Sequence, residues 1–137
     1  LEGKDVILID DMISSGKSIL EIASLLKKRG AGKIFICTTF GLFTEGMEKF
    51  DEAYQNGIFD KLLTTNLVYQ TPEHPDHQPD LPDPGTADQT NYINCDMSKY
   101  IALIIDTLNH DMSVSHLLNP ADRIKRCVSN YMAQYEK

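Results

Sequence analysis

No apolar run in the 137-residue chain approaches the ~20 residues that a membrane span requires, so no segment is expected to cross a bilayer. Cations are in the minority. Thirteen Lys and Arg against twenty Asp and Glu leave a formal charge of -7, which excludes a broad basic face for nucleic acid. The three cysteines, Cys37, Cys95 and Cys127, are odd in number and share no metal-ligand spacing, so they read as reduced thiols of a cytoplasmic protein. The opening "LEGKD" has no basic segment followed by an apolar one, and no signal peptide is expected. It also lacks an initiator Met, so the chain is expected to be one piece of a longer protein. Internal repeats and extended heptads are missing too.

What is present is ordinary for a globular protein: 42% hydrophobic and 24% charged residues, in a length that suits one domain over residues 1–137. The β-branched run at residues 5–9 predicts a strand buried on both faces. Ile19, Ile22, Ala23 and Leu26 then recur at helical spacing, with Gly30 as the expected helix stop. A second strand is expected over 33–40, a second helix over about 44–55 carrying Met47, Phe50 and Tyr54, and a third strand over 60–66. This rhythm means βαβ crossovers and a parallel sheet, so the fold class is α/β. Residues 70–91 hold five of the six prolines and few apolar residues, and form a long loop. A short extended piece "YINC" follows, then a helix over about 97–109 with Met97, Ile101, Ile104 and Leu108 as its stripe. Pro120 is placed to open a last helix over about 120–136.

The densest chemistry lies in "VILIDDMISSGKSILE", residues 6–21. Gly16-Lys17-Ser18 ends like a P-loop, but that motif needs glycine where Asp11 stands, and a carboxylate there would repel wrapped phosphates. A different division of labour fits the residues. The amides of a helix start and the hydroxyls of Ser14, Ser15 and Ser18 suit a phosphate, which the helix dipole also favours. Asp10 and Asp11, at the C-terminal edge of a strand, suit sugar hydroxyls or a hydrated Mg²⁺. Ser18 and Glu21 also have the spacing of a capping box.

Four apolar residues, two acids, two more residues and a small hydroxyl-rich turn resemble the phosphoribosyl-binding loop of type I phosphoribosyltransferases and ribose-phosphate pyrophosphokinases. Later segments favour the second group. "FICTTFGLFTEGMEKF" resembles its Thr-His-Gly-like step, "LLTTNLV" its Thr-Asn-Thr element, and "SKYIALIIDTLNHDMSVSHLL" its closing helix and Ser-Val-Ser turn. The chain therefore resembles the C-terminal, phosphoribosyltransferase-like domain of a ribose-phosphate pyrophosphokinase, from a divergent branch. Lys17 replaces a family glycine, and Phe40 stands where histidine is common.

The resemblance implies transfer of pyrophosphate from Mg-ATP to ribose 5-phosphate, giving phosphoribosyl pyrophosphate (PRPP) and AMP for nucleotide biosynthesis. It implies substrate binding by Asp10, Asp11, Ser14, Ser15, Gly16, Lys17 and Ser18, with Mg²⁺ near Asp10 and Asp11 through water. It also implies a cytoplasmic homo-oligomer, a hexamer in the family, with no nucleic acid or membrane partner. The family's catalytic Lys/Arg loop lies upstream of the Asp-Asp strand, so no catalytic residue is assigned in this chain, which alone is expected to be inactive. The alternatives are a type I phosphoribosyltransferase that consumes PRPP and a non-catalytic regulatory homologue. His74 and His77, with Asp76, Asp80 and Asp83, read as a solvated proline-rich loop rather than a metal site. His110 reads as a surface residue near a helix end, and His116 shows no evident partner.

Overall fold

A computed structural model describes residues 1–68 and 91–135. The chain divides into two compact units, Leu1–Met97 and Ser98–Lys137. The first holds β1 (Val6–Ile13), α1 (Lys17–Lys28), β2 (Ile34–Gly41), α2 (Glu48–Gln55), β3 (Lys61–Thr65) and β4 (Tyr92–Cys95). All four strands are parallel, in the order β1-β2-β3-β4, so the α/β class and parallel sheet expected from the sequence are present.

The register places Leu8, Ile36, Leu62 and Tyr92 side by side across the sheet. In a parallel sheet such a row points to one face. That face packs against Ile19 and Ala23 of α1 and Phe50 of α2, and Ile34, Ile36 and Ala23 are wholly buried. Phe43, Phe50 and Phe59 extend the core through edge-to-face ring contacts, at 5.3 Å between Phe43 and Phe50 and 6.5 Å between Phe50 and Phe59. The opposite face is more open: Ile7 and Ile9 of β1 are 64% and 82% exposed.

Helix α1 stops where expected. Gly30 adopts φ 80, the Gly30 N–H donates to the Lys27 carbonyl and the Ala31 N–H to the Leu26 carbonyl, which together form a Schellman cap. Two boundaries differ from the sequence reading. β1 runs on to Ile13 rather than ending near Ile9, because Asp10, Met12 and Ile13 pair with Thr38, Phe40 and Gly41. α2 starts at Glu48 rather than Thr44, because Phe43 (φ 45) and Gly46 (φ 79) take left-handed backbone and make a turn first. The proline-rich loop expected over 70–91, with its two histidines, lies outside the described residues apart from Asn91.

The second unit contains α3 (Ser98–Asn109), α4 (Ser115–Leu118) and α5 (Ala121–Tyr135). Tyr100 joins them: its hydroxyl donates to the Leu117 carbonyl at 2.9 Å, and the Arg123 guanidinium lies 4.9 Å above its ring. Of the apolar stripe expected on α3, Ile104 is half-buried. Ile101 and Leu108 are 37% and 58% exposed, while Thr107 is buried with its hydroxyl bonded to the Leu103 carbonyl. Ile101, Ile104, Ile105 and Leu108 recur at helical spacing along one side of α3. His110 is exposed near the end of α3, as expected, and its ring contacts the Asp106 carbonyl and carboxylate. His116 is also exposed, and its ring has a partner in the Ser113 carbonyl at 3.0 Å.

Candidate functional site

Two residues along from the apolar row, the core face of the sheet turns polar. Asp10 pairs with Thr38, and Thr64 pairs with Asn94; the β2–β3 register, Cys37 beside Leu63, brings Thr38 and Thr64 together one step on. A band of Asp10, Thr38, Thr64 and Asn94 thus crosses all four strands toward their C-terminal ends, where open α/β sheets bind ligands.

Above the β1 end of this band, the chain turns into α1 and encloses a cavity of about 180 Å³. It is lined by Asp10, Met12, Ile13, Ser14, Ser15, Gly16, Lys17, Ser18 and Ile19. Six of the seven residues expected to bind substrate therefore meet at one place. Asp11 does not line the cavity. Its backbone N–H donates to Asp10 Oδ1 at 2.9 Å, which links the two acids through main chain.

Gly16 is the N-cap of α1 with φ 78, and no side chain caps the helix. The Ser18–Glu21 capping box is consequently not formed: helix begins at Lys17, so Ser18 already lies inside the first turn. The first-turn amides keep their capacity to bind an anion. Phe50 packs so closely over Gly16 that a β-carbon there would overlap its ring. On the other side of the loop, the Thr44 N–H donates to the Ser14 carbonyl at 3.1 Å, and the two hydroxyls lie 3.3 Å apart. The Leu42 N–H bonds the Ile13 carbonyl at 2.8 Å, so the turn after β2 braces the turn after β1. Thr44 and Phe50 were not legible as site residues, because both act across long sequence separations. Ile13 and Ile19, which floor the cavity, carry only the signal of ordinary core residues.

Glu45 lies in the turn between β2 and α2. A hydrogen bond from Lys49 holds its carboxyl below the usual range, with the charges of Lys49 and Lys17 adding to the effect. Among the described residues no group of three or more His, Cys, Asp or Glu is arranged to hold a metal. Asp10 is the one carboxylate among the residues that line the cavity.

A model of the phosphoribosyl synthetase-associated domain matches residues 1–77, more than half of the 137. The chain belongs to that family. Ribose-phosphate pyrophosphokinase of Pyrococcus furiosus is 36% identical over 69 residues, which cover 50% of this chain and 23% of that protein. The Thermococcus kodakarensis ribose-phosphate pyrophosphokinase is 39% identical over a stretch of the same length and the same shares. The chain thus spans about a quarter of the length of these curated relatives. The crystal structure of phosphoribosylpyrophosphate synthetase from Mycobacterium smegmatis superposes with a TM-score of 0.60 at 20% identity, covering 80% of this chain and 32% of that one. This likeness shows the fold, which is the phosphoribosyltransferase-like architecture the loop motif implied. No helix among the described residues is long and apolar enough to cross a membrane.

Proposed function

We propose that this phosphoribosyl synthetase-associated domain binds ribose 5-phosphate in the cavity between β1 and α1. The observation that carries this reading is the convergence of Asp10 with residues 14–18 around one cavity of about 180 Å³. The 5-phosphate is received by the uncapped first turn of α1, by Ser14, Ser15 and Ser18, and by Lys17, whose cation adds to the helix dipole. Asp10 accepts hydrogen bonds from the ribose hydroxyls and faces Mg²⁺ through water. Asp11, which lies off the cavity, would act on the hydrated metal only indirectly, through water. The cavity is smaller than the ~300–1,000 Å³ typical of drug-sized ligands, which supports a sugar phosphate here and nucleotide contacts elsewhere.

Within the longer enzyme, the ribose 1-hydroxyl attacks the β-phosphorus of Mg-ATP. The bond between the α,β-bridging oxygen and the β-phosphorus breaks, AMP leaves, the hydroxyl proton is released, and PRPP forms. Positioning and charge neutralisation supply most of the rate in such transfers. The residues of this chain hold the acceptor; the cytoplasmic setting and homo-oligomeric assembly belong to the same reading.

The test supplies the full-length protein with ribose 5-phosphate, ATP and Mg²⁺ and follows AMP and PRPP. Formation of both is expected, and the isolated chain should bind ribose 5-phosphate without turning over. A folded full-length protein that releases no AMP would overturn the transfer. Consumption of PRPP with a nucleobase would make the protein a phosphoribosyltransferase instead.

A further inference from the structure

The hydrogen-bonded ladder between β1 and β2 does not end with the strands. Past Gly41, the Leu42 N–H still donates to the Ile13 carbonyl at 2.8 Å and the Thr44 N–H to the Ser14 carbonyl at 3.1 Å. A turn closes behind them, with Phe43 at φ 45, Gly46 at φ 79 and the Gly46 N–H bonded to the Phe43 carbonyl at 2.9 Å. Main-chain bonds thus fix where Thr44 stands relative to the loop over residues 14–18. Its hydroxyl lies 3.3 Å from that of Ser14, which lines the loop cavity. Among the described residues the Thr44 hydroxyl has no other hydrogen-bond neighbour.

That separation is long for a bond between two hydroxyls, whose oxygens settle about 2.7–2.8 Å apart. It matches two donors that share one acceptor. Hydroxyls each about 2.7 Å from the same oxygen stand roughly 3–4.5 Å from one another. We propose that Thr44 is a phosphate ligand supplied by the turn after β2, its hydroxyl donating together with that of Ser14 to one oxygen of the bound phosphate. The inference rests on the reading of the loop cavity as a ribose 5-phosphate site, and adds a ligand from outside the contiguous motif. A phosphate oxygen has lone pairs for more than one donor, and hydrogen bonds to a charged acceptor are the stronger ones. Glu45, next in the chain, carries the charge that would oppose an anion here. Its carboxylate is bonded to Lys49, and the charge of Lys17 offsets it further. The turn after β2 is therefore a wall of the phosphate site as well as a brace for it.

The test is titration of the folded protein, with ribose 5-phosphate by calorimetry and with inorganic phosphate by phosphorus NMR. Thr44→Val keeps the shape and the main-chain bond to Ser14 but removes the donor. It should weaken both anions by about tenfold, while Thr44→Ser should stay within about twofold of the parent. Urea unfolding of Thr44→Val should match the parent, since the hydroxyl is exposed. In a Ser14→Ala background Thr44→Val should still weaken binding about tenfold, because each hydroxyl donates on its own account. Undiminished binding by Thr44→Val, equal losses in the serine and valine variants, or no further loss in the Ser14→Ala background would each overturn the proposal. The ribose reading fails separately. A parent that binds inorganic phosphate as tightly as ribose 5-phosphate would sink that reading, and Thr44 would then stand or fall on the phosphate titration alone. A parent that binds neither anion overturns both.

Discussion

The ring of Phe50 occupies the space in which a side chain on Gly16 would begin. Gly16 also has φ 78, a conformation that side-chain-bearing residues adopt only at a cost. Gly16→Ala should therefore lose stability twice: about 1–2 kcal/mol for the left-handed backbone and roughly 1–3 kcal/mol for overpacking against Phe50. Urea unfolding measures the sum. In Gly16→Ala with Phe50→Leu the packing part should be relieved, giving a clear favourable coupling in the double-mutant cycle. Strict additivity would show that Phe50 does not press on the loop.

Asp10 and Asp11 are adjacent in sequence and divergent in space, so their substitutions should not be equivalent. Asp10 lines the cavity and Asp11 does not. Asp10→Asn should weaken ribose 5-phosphate at least about tenfold, as expected when a charged hydrogen-bond acceptor is lost. Asp11→Asn should cost less in the absence of Mg²⁺. Titration calorimetry of the two variants decides the matter, and equal losses would require both acids to touch the sugar.

Tyr92 belongs to the core row of the sheet, 6.1 Å from the ring of Phe43. Burial, with the nearby Cys95 charge adding, pushes its phenol from 10.0 up to about 12. The folded state thus holds this proton more tightly than the unfolded chain does. Its contribution to stability is complete below pH 10 and is lost as pH rises toward about 12. Spectrophotometric titration of the folded protein should show a late-ionising tyrosine that is absent in Tyr92→Phe. The variant should also lose less stability across that interval than the parent.

The parallel sheet was legible because its strands are written as local apolar runs, such as residues 6–9 and 34–37, although β1 is buried on one face only, with Ile7 and Ile9 exposed, and not on both as expected. The loop was legible for a similar reason, since Asp10 and residues 14–18 are contiguous and need only one turn to meet. What could not be read were relations across the chain. Thr44 bonds Ser14 over thirty positions, and Phe50 seals Gly16 from another helix. The start of α2 was misplaced because Phe43 takes a left-handed backbone that no local signal announces.

The polar band at the strand ends contains an unusual pair. Thr64 is 2% exposed, and neither its Oγ1 nor Asn94 Oδ1 beside it has a hydrogen-bond partner. An unsatisfied buried hydroxyl costs about 1–3 kcal/mol, and replacing it with an apolar group of the same shape removes that cost. Thr64→Val is therefore expected to be neutral or to stabilise by up to about 1 kcal/mol. Thr64→Ser keeps the hydroxyl and deletes a buried methyl, and should destabilise by roughly 1 kcal/mol. Thermal unfolding should rank the valine variant at or above the parent and the serine variant below it. If valine instead costs more than serine, the hydroxyl has a partner after all, and a buried water shared with Asn94 becomes the explanation to pursue by crystallography.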